Sequence, residues 1–222
     1  MPRIRRGLAD GGIYHVLNRG NGRQRVFHKD EDFAAFIDLL GQARARNPVK
    51  ILGYCLIPNH FHLLLSTEIG AELSRFMQWL MTSHVRRYHR HYRTSGHVWQ
   101  GRYKSFIVQE DTHLLTVARY IEGNPLRAGL ANSAKEWRWS SHRESCGAVE
   151  RSLTSPLPVP LPDNWTGFVD EALTQQELGR LQQSVDRQAP LGGSEWQEKI
   201  GRLLGLESTM RPRGRPKSRM EK

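Results

Sequence analysis

Cysteine is nearly absent: the 222 residues hold two, Cys55 and Cys146, too few for a disulfide framework and without the paired spacing of a zinc site. Long apolar runs are missing as well. No stretch approaches the roughly 18 apolar residues of a membrane span, and the opening Met-Pro-Arg-Ile-Arg-Arg lacks the apolar run of a signal peptide. These absences point to a soluble, reduced, cytoplasmic protein with no membrane association. Acidic residues are scarce too, with 22 Asp and Glu against 33 Lys and Arg, for a formal net charge of +11. Such an excess favours a polyanionic partner, nucleic acid first. An anionic membrane surface fits less well, because no basic amphipathic helix dominates. No Gly-x-x-x-x-Gly-Lys-Ser/Thr loop occurs, so no nucleotide cofactor is expected.

What the chain does contain is enough for a core, with 38% hydrophobic residues in a length that suits one domain and an appendage. Residues 12–18 alternate as a first strand, closed by Gly20-Asn21-Gly22. Asp30 or Asp32 caps a helix with apolar positions Phe33, Phe36, Ile37, Leu40 and Ala43, ending near Asn47-Pro48. Residues 49–57 read as a second strand, Pro58-Asn59 as a tight turn, and His60 onward as a third strand. A longer helix spans residues 71 to about 92, and a fourth strand spans 105–109. Asp111 or Thr112 caps the next helix, which Asn124-Pro125 ends.

This order predicts an α+β fold: a ferredoxin-like or RNA-recognition-motif-like (RRM-like) antiparallel sheet with helices on one face. Residues 1–150 form the main domain. Residues 151–206 form a Pro-rich connector and a helical extension, with helices at 166–187 and 194–206 leaning on that domain. Residues 207–222 form a basic, disordered tail. Within it, residues 211–222 hold six basic groups against one acidic, and Arg213-Gly214-Arg215-Pro216 resembles an AT-hook core, whose arginines enter the minor groove.

The chemistry centres on Ile57-Pro58-Asn59-His60-Phe61-His62. Alternate side chains of a strand share a face, so His60 and His62 project together while Phe61 and Leu63 enter the core. Two imidazoles on one face can hold a divalent ion from one side. A third ligand from another element would leave an open cation able to polarise a phosphate oxygen. Asn124 is an oxygen donor suited to Mg²⁺ or Mn²⁺, and Tyr120, four residues earlier on the same helix face, could reach the same phosphate. With an ordinary pKa near 10, a tyrosine needs a polarised phosphate, a charged neighbour or a good leaving group to attack at neutral pH.

Three stretches share this layout with a known family: Pro58-Asn59-His60-Phe61-His62, Trp99-Gln100-Gly101-Arg102-Tyr103-Lys104-Ser105, and Tyr120-Ile121-Glu122-Gly123-Asn124-Pro125-Leu126-Arg127-Ala128-Gly129-Leu130. Together they resemble the single-tyrosine HUH transposases, and within them the REP-associated tyrosine transposases, over roughly residues 5–145. The resemblance implies that His60 and His62 bind a divalent metal, Mg²⁺ or Mn²⁺, with Asn124 as third ligand where relatives often have glutamine. It implies that Tyr120 attacks a phosphate of single-stranded DNA to form a 5′-phosphotyrosine. The expected partner is a hairpin from palindromic repeats, and the expected state is a monomer acting in cis. Arg5, Arg6, Arg19, Arg23, Arg25, Arg86, Arg87, Arg90, Arg102, Lys104, Arg213 and Arg215 are the expected DNA contacts. Two other readings stand beside this one. The first is a non-catalytic RRM-like nucleic-acid-binding regulator; the second is a metal-dependent phosphoesterase in which water attacks.

Overall fold

The computed structural model describes residues 6–211. Arg5, Arg213, Arg215 and the basic segment around the last two lie outside the described residues. In chain order the elements are β1 (Ile13–Arg19), a 3-10 turn (Asn21–Arg23), α1 (Asp30–Arg46), β2 (Val49–Ile57), β3 (His60–Thr67), α2 (Gly70–Tyr92) and β4 (Lys104–Val108). These are followed by α3 (Thr112–Glu122), α4 (Asn124–Arg127), a second 3-10 turn (Ala134–Glu136), α5 (His142–Ser145), α6 (Trp165–Asp170), α7 (Gln175–Arg187), α8 (Ser194–Leu204) and α9 (Glu207–Met210). The four strands lie in the order β2-β3-β1-β4, with all neighbours antiparallel. This is the expected ferredoxin-like α+β sheet.

The helices cover both faces of the sheet rather than one. Tyr14 and Val16 of β1, with Phe61, Leu63 and Leu65 of β3, pack under α1 and α2 against Phe33, Phe36, Leu40, Phe76 and Leu80. The opposite positions Ile13, Leu64, Cys55 and Phe106 pack under α3 and the C-terminal extension, against Leu114, Val117, Ile121 and Trp165. The reason lies in the strands themselves: β1 and β3 carry Ile13, Leu17 and Leu64 on the second face as well, and leaving it wet would expose that apolar area at about 25 cal/mol per Å². His60 and His62 belong to this second face, so the layer that covers it also encloses them.

Neither outer strand is open. Along β2, Leu56 N–H donates to the Trp139 carbonyl (2.9 Å), and Ser141 N–H donates to Tyr54 (2.9 Å). Along β4, Leu191 N–H donates to the Ile107 carbonyl (2.9 Å), and Gln109 N–H donates to Leu191 (2.9 Å). The Trp137–Ser141 segment and residue 191 of the extension thus serve as short caps on the two edges.

Three local expectations change. Lys29, not Asp30 or Asp32, is the N-cap of α1; the Asp32 carboxylate reaches back from the first turn to accept the N–H groups of His28 (2.9 Å) and Lys29 (3.3 Å). The expected helix over residues 166–187 is two helices, because Thr174 starts α7 afresh by accepting the Glu177 N–H. Residues 207–210 fold as α9, with Thr209 fully buried, so the extension runs past residue 206.

The core under α2 holds one titratable group with a stability consequence. His84 is 1% exposed between Phe27, Phe36 and Trp99, and neither ring nitrogen has a partner among the described residues. Burial, aided by the Arg87 charge and opposed by Asp32, pushes its pKa down to about 3. The unfolded chain binds that proton near pH 6.5, so the stability held above that pH is lost as pH falls from 6.5 toward 3. We expect the stability difference between the native chain and a His84→Met variant to fall by about 2 kcal/mol from pH 7 to pH 5. Urea denaturation at both pH values measures it; a pH-independent difference would mean that His84 is charged or partnered in the native state.

Candidate active site

The site begins with strand register. Antiparallel pairing sets Arg19 opposite His60 and Leu17 opposite His62, which places His15 diagonally across from His62 on the same face. The rings of His60 and His62 meet edge to face with centroids 5.0 Å apart, and those of His15 and His62 stack at 5.0 Å. Asn124 Nδ2 donates to His62 Nε2 (3.0 Å). His62 Nδ1 meets His15 Nε2 at 2.8 Å, the donor being set by the tautomer. His62 Nε2 faces Asn124, the position from which a metal ligand would act.

All three histidines are held neutral. Burial, with the charges of Arg19 and Arg127, pushes His60 down to about 4. Burial and the Arg127 charge push His15 to about 3, and burial with the neighbouring histidines and arginines drives His62 well below its ordinary value. Among the described residues no cluster of three His, Cys, Asp or Glu could hold a metal. The only fit is the expected mixed set: two neutral imidazoles and the Asn124 amide. Turning that amide over puts Oδ1 where Nδ2 now meets His62, a change with no steric consequence. The residues present fit a divalent ion.

Tyr120 comes from α3. Asp111 starts that helix by accepting the His113 N–H (2.8 Å), and Leu114, Val117, Ala118 and Ile121 bury its inner stripe against the sheet. Tyr120 lies beside the stripe, half-buried, with its ring edge-on to His62 (5.6 Å) and to His15 (6.0 Å). The helix stops at Glu122 rather than running on, so Asn124 sits on a separate turn, α4, and not on one continuous face with Tyr120. Gly123 stands at the break, just before Pro125, which has no N–H to continue the α3 ladder. A Cβ there would lie 3.0 Å from the Arg119 carbonyl, 3.1 Å from that of Val169 and 3.2 Å from Arg127 Nη1. The same turn carries Arg127, whose guanidinium lies 4.2 Å from the Tyr120 ring centroid and donates to the Tyr120 carbonyl.

Behind the tyrosine the α3 terminus is anchored by a buried carboxylate. Glu122 accepts from Ser141 Oγ (2.8 Å), Ser145 Oγ (2.6 Å), His142 Nδ1 (2.8 Å) and Trp165 Nε1 (2.7 Å). Arg119 donates to the carbonyls of Glu171 (2.9 Å) and Ala172 (3.2 Å) while lying over the Phe168 ring. The extension therefore grips the helix that presents Tyr120.

Among the described residues the expected DNA contacts fall in adjoining groups, because Gln100 N–H donates to the Arg19 carbonyl (2.9 Å) and joins the 96–103 loop to the end of β1. Arg19 is exposed at the end of β1, opposite His60, and Arg23 and Arg25 are exposed on the turn that follows. Arg6, Arg86 and Arg102 line a cleft of about 700 Å³ between α2 and the 96–103 loop, floored by Met77, Met81 and Trp99, apart from the histidines. Arg90 and Lys104 are exposed. Arg87 is committed elsewhere, to Asp32 (3.3 Å) and the Glu31 carbonyl (3.3 Å), so it braces α1 against α2. His15, Glu122 and Arg127 are the residues that sequence reasoning passed over.

With this geometry in place, the likeness to known proteins is specific. The family model described as "Transposase IS200 like" matches residues 10–124, just over half of the chain. A Haemophilus influenzae protein, provisionally named a REP-associated tyrosine transposase, is 26% identical over 182 residues, covering 77% of this chain and 96% of that protein. The solved structure of a REP-associated tyrosine transposase bound to a REP hairpin superposes with a TM-score of 0.58 at 16% identity, covering 78% of this chain and 93% of that one; the likeness is one of fold. His60, His62, Tyr120 and Asn124 all fall within the matched span, and the chain belongs to the IS200-like transposase family.

Proposed function

We propose that this protein is a REP-associated type of transposase that binds repeat-derived DNA hairpins and cuts and rejoins the adjacent single strand through Tyr120. The observation that carries the reading is the meeting at His62 of two elements distant in sequence: the Tyr120 ring packs edge-on against it while Asn124 bonds its Nε2. In the reaction, Tyr120 Oη bonds to phosphorus and the bond from phosphorus to the 3′ oxygen breaks. The departing oxygen keeps the electron pair and takes up a proton as a 3′-hydroxyl, while the phenolic proton passes to solvent. One phosphodiester is exchanged for another, so the strand can be rejoined by the reverse step with no nucleotide cofactor. His60, His62 and Asn124 would hold the ion; Mg²⁺ or Mn²⁺ there supplies polarisation of a non-bridging phosphate oxygen. The side chains themselves orient that phosphate in line with Oη and limit water around it. Since Tyr120 meets His62 of its own chain, the arrangement supports a monomer acting in cis, in the cytoplasm where the DNA is.

The test is a 5′- or 3′-labelled single-stranded hairpin, incubated with the protein and Mn²⁺ and resolved on a denaturing gel. A covalent protein–DNA species carrying the downstream strand, abolished by EDTA, is the expected result. Binding with neither cutting nor adduct would favour the RRM-like regulator. For His60→Ala and His62→Ala we expect cleavage to fall at least about 10²-fold and Mn²⁺ affinity, read by electron paramagnetic resonance, to fall in parallel. Cleavage lost with Mn²⁺ affinity intact would remove the histidines from the metal site.

A further inference from the structure

We propose that Arg127 is a further catalytic residue: it fixes the Tyr120 ring from behind and supplies the positive charge that receives the scissile phosphate. The inference rests on the tyrosine reading above and adds a partner for the nucleophile. Three observations carry it. The guanidinium stacks over the ring of the attacking residue at 4.2 Å, on the same short turn that carries Asn124. It donates one N–H to the Tyr120 carbonyl, at the end of α3 where the helix has broken and that oxygen has no successor in the ladder. And it has no carboxylate partner among the described residues, where the ion pairs involve other arginines, and it stays solvent-accessible.

An arginine carries five N–H donors in a fixed fork, and one is used here. The rest stand free next to the place where Tyr120 Oη would meet phosphorus. A cation over an aromatic face is modestly attractive at exposed sites, enough to hold the ring without locking it. Its larger effect comes when a phosphate enters. As the Oη–phosphorus bond forms and the bond to the 3′ oxygen breaks, negative charge collects on the non-bridging oxygens, and a preset donor fork stabilises it with no reorganisation. Gly123 belongs to the device, because a Cβ at that position would sit 3.2 Å from Arg127 Nη1 and displace the guanidinium.

The experiment compares single-turnover cleavage of the labelled hairpin with hairpin affinity for the full chain, Arg127→Ala and Arg127→Lys, all with Mn²⁺. Circular dichroism and hairpin binding establish that each variant is folded. We expect Arg127→Ala to cut about 10²–10³-fold more slowly at nearly unchanged affinity, the loss typical of one preset donor group. Arg127→Lys, which keeps the charge without the fork, should fall between. Millimolar guanidinium ion should restore part of the Arg127→Ala rate and none of the Tyr120→Phe rate. Native-rate cleavage by Arg127→Ala would overturn the proposal. So would a loss that guanidinium does not rescue and that lysine shares in full, since that pattern belongs to a purely structural bond to the Tyr120 carbonyl. A native chain that forms no covalent adduct would instead sink the tyrosine reading itself, before any Arg127 variant is compared.

Discussion

Tyr120→Phe should eliminate the covalent DNA adduct and lower strand cleavage at least about 10⁴-fold, while hairpin affinity stays within about twofold of native. The expectation is sharp because the substitution removes one atom and keeps everything else that the ring does. Its edge contacts with His62 and His15 are made by the ring, as is its stack under Arg127, and phenylalanine preserves all of them. Tyr120 is half-buried and its side chain forms no hydrogen bond among the described residues, so stability should move by less than about 1 kcal/mol. The measurement is a single-turnover time course on end-labelled hairpin, with binding followed by fluorescence anisotropy. Cleavage above about 1% of native in the variant would pass the attack to water and revive the phosphoesterase reading.

Glu122→Ala is expected to cost about 3–5 kcal/mol of folding stability, the range for removing one member of a buried charged network. Glu122 is 3% exposed and is the common acceptor of four donors, from Ser141, Ser145, His142 and Trp165. Its loss leaves those donors buried without an acceptor, and each orphaned group carries a penalty of about 1–3 kcal/mol unless water enters. Urea denaturation gives the number. Trp165→Phe, which removes a single donor, should cost only about 1 kcal/mol by the same measurement. A loss below about 1 kcal/mol for Glu122→Ala would mean that water refills the pocket and that the anchor is replaceable. Because Glu122 lies between Tyr120 and Asn124 in sequence, we also expect slower cleavage in Glu122→Ala at temperatures where the variant is still folded.

What could be read from sequence was local in origin. The histidines share a face because a strand repeats every two residues, whereas Tyr120 and Asn124, four apart in sequence, stand on separate turns either side of Gly123. His15 was invisible for the opposite reason: only the pairing of β1 with β3 carries it to His62, across 47 residues of chain. Arg127 depends on the turn after Gly123, which follows a helix read as ending at Asn124-Pro125 and sets the guanidinium over the tyrosine. Glu122 is a core group because residues 141–145 and Trp165, distant in sequence, close around it. The second layer of helices left a trace that was underweighted. Ile13-Tyr14-His15-Val16 is buried at every position, a continuous run rather than the alternation of a half-wet strand.

The capped edges of the sheet bear on how the molecule keeps company. An outer strand with free N–H and C=O groups invites a neighbouring chain to pair with it, in orderly assembly or in aggregation. Here Trp139 and Ser141 occupy the groups of β2, and Leu191 occupies those of β4. With these groups taken, neither edge offers a free row of N–H and C=O groups to a second copy of the chain. The capping segments come after β4 in the chain, Trp137–Ser141 ahead of the extension and Leu191 within it, so both edges are covered only once those later residues have folded.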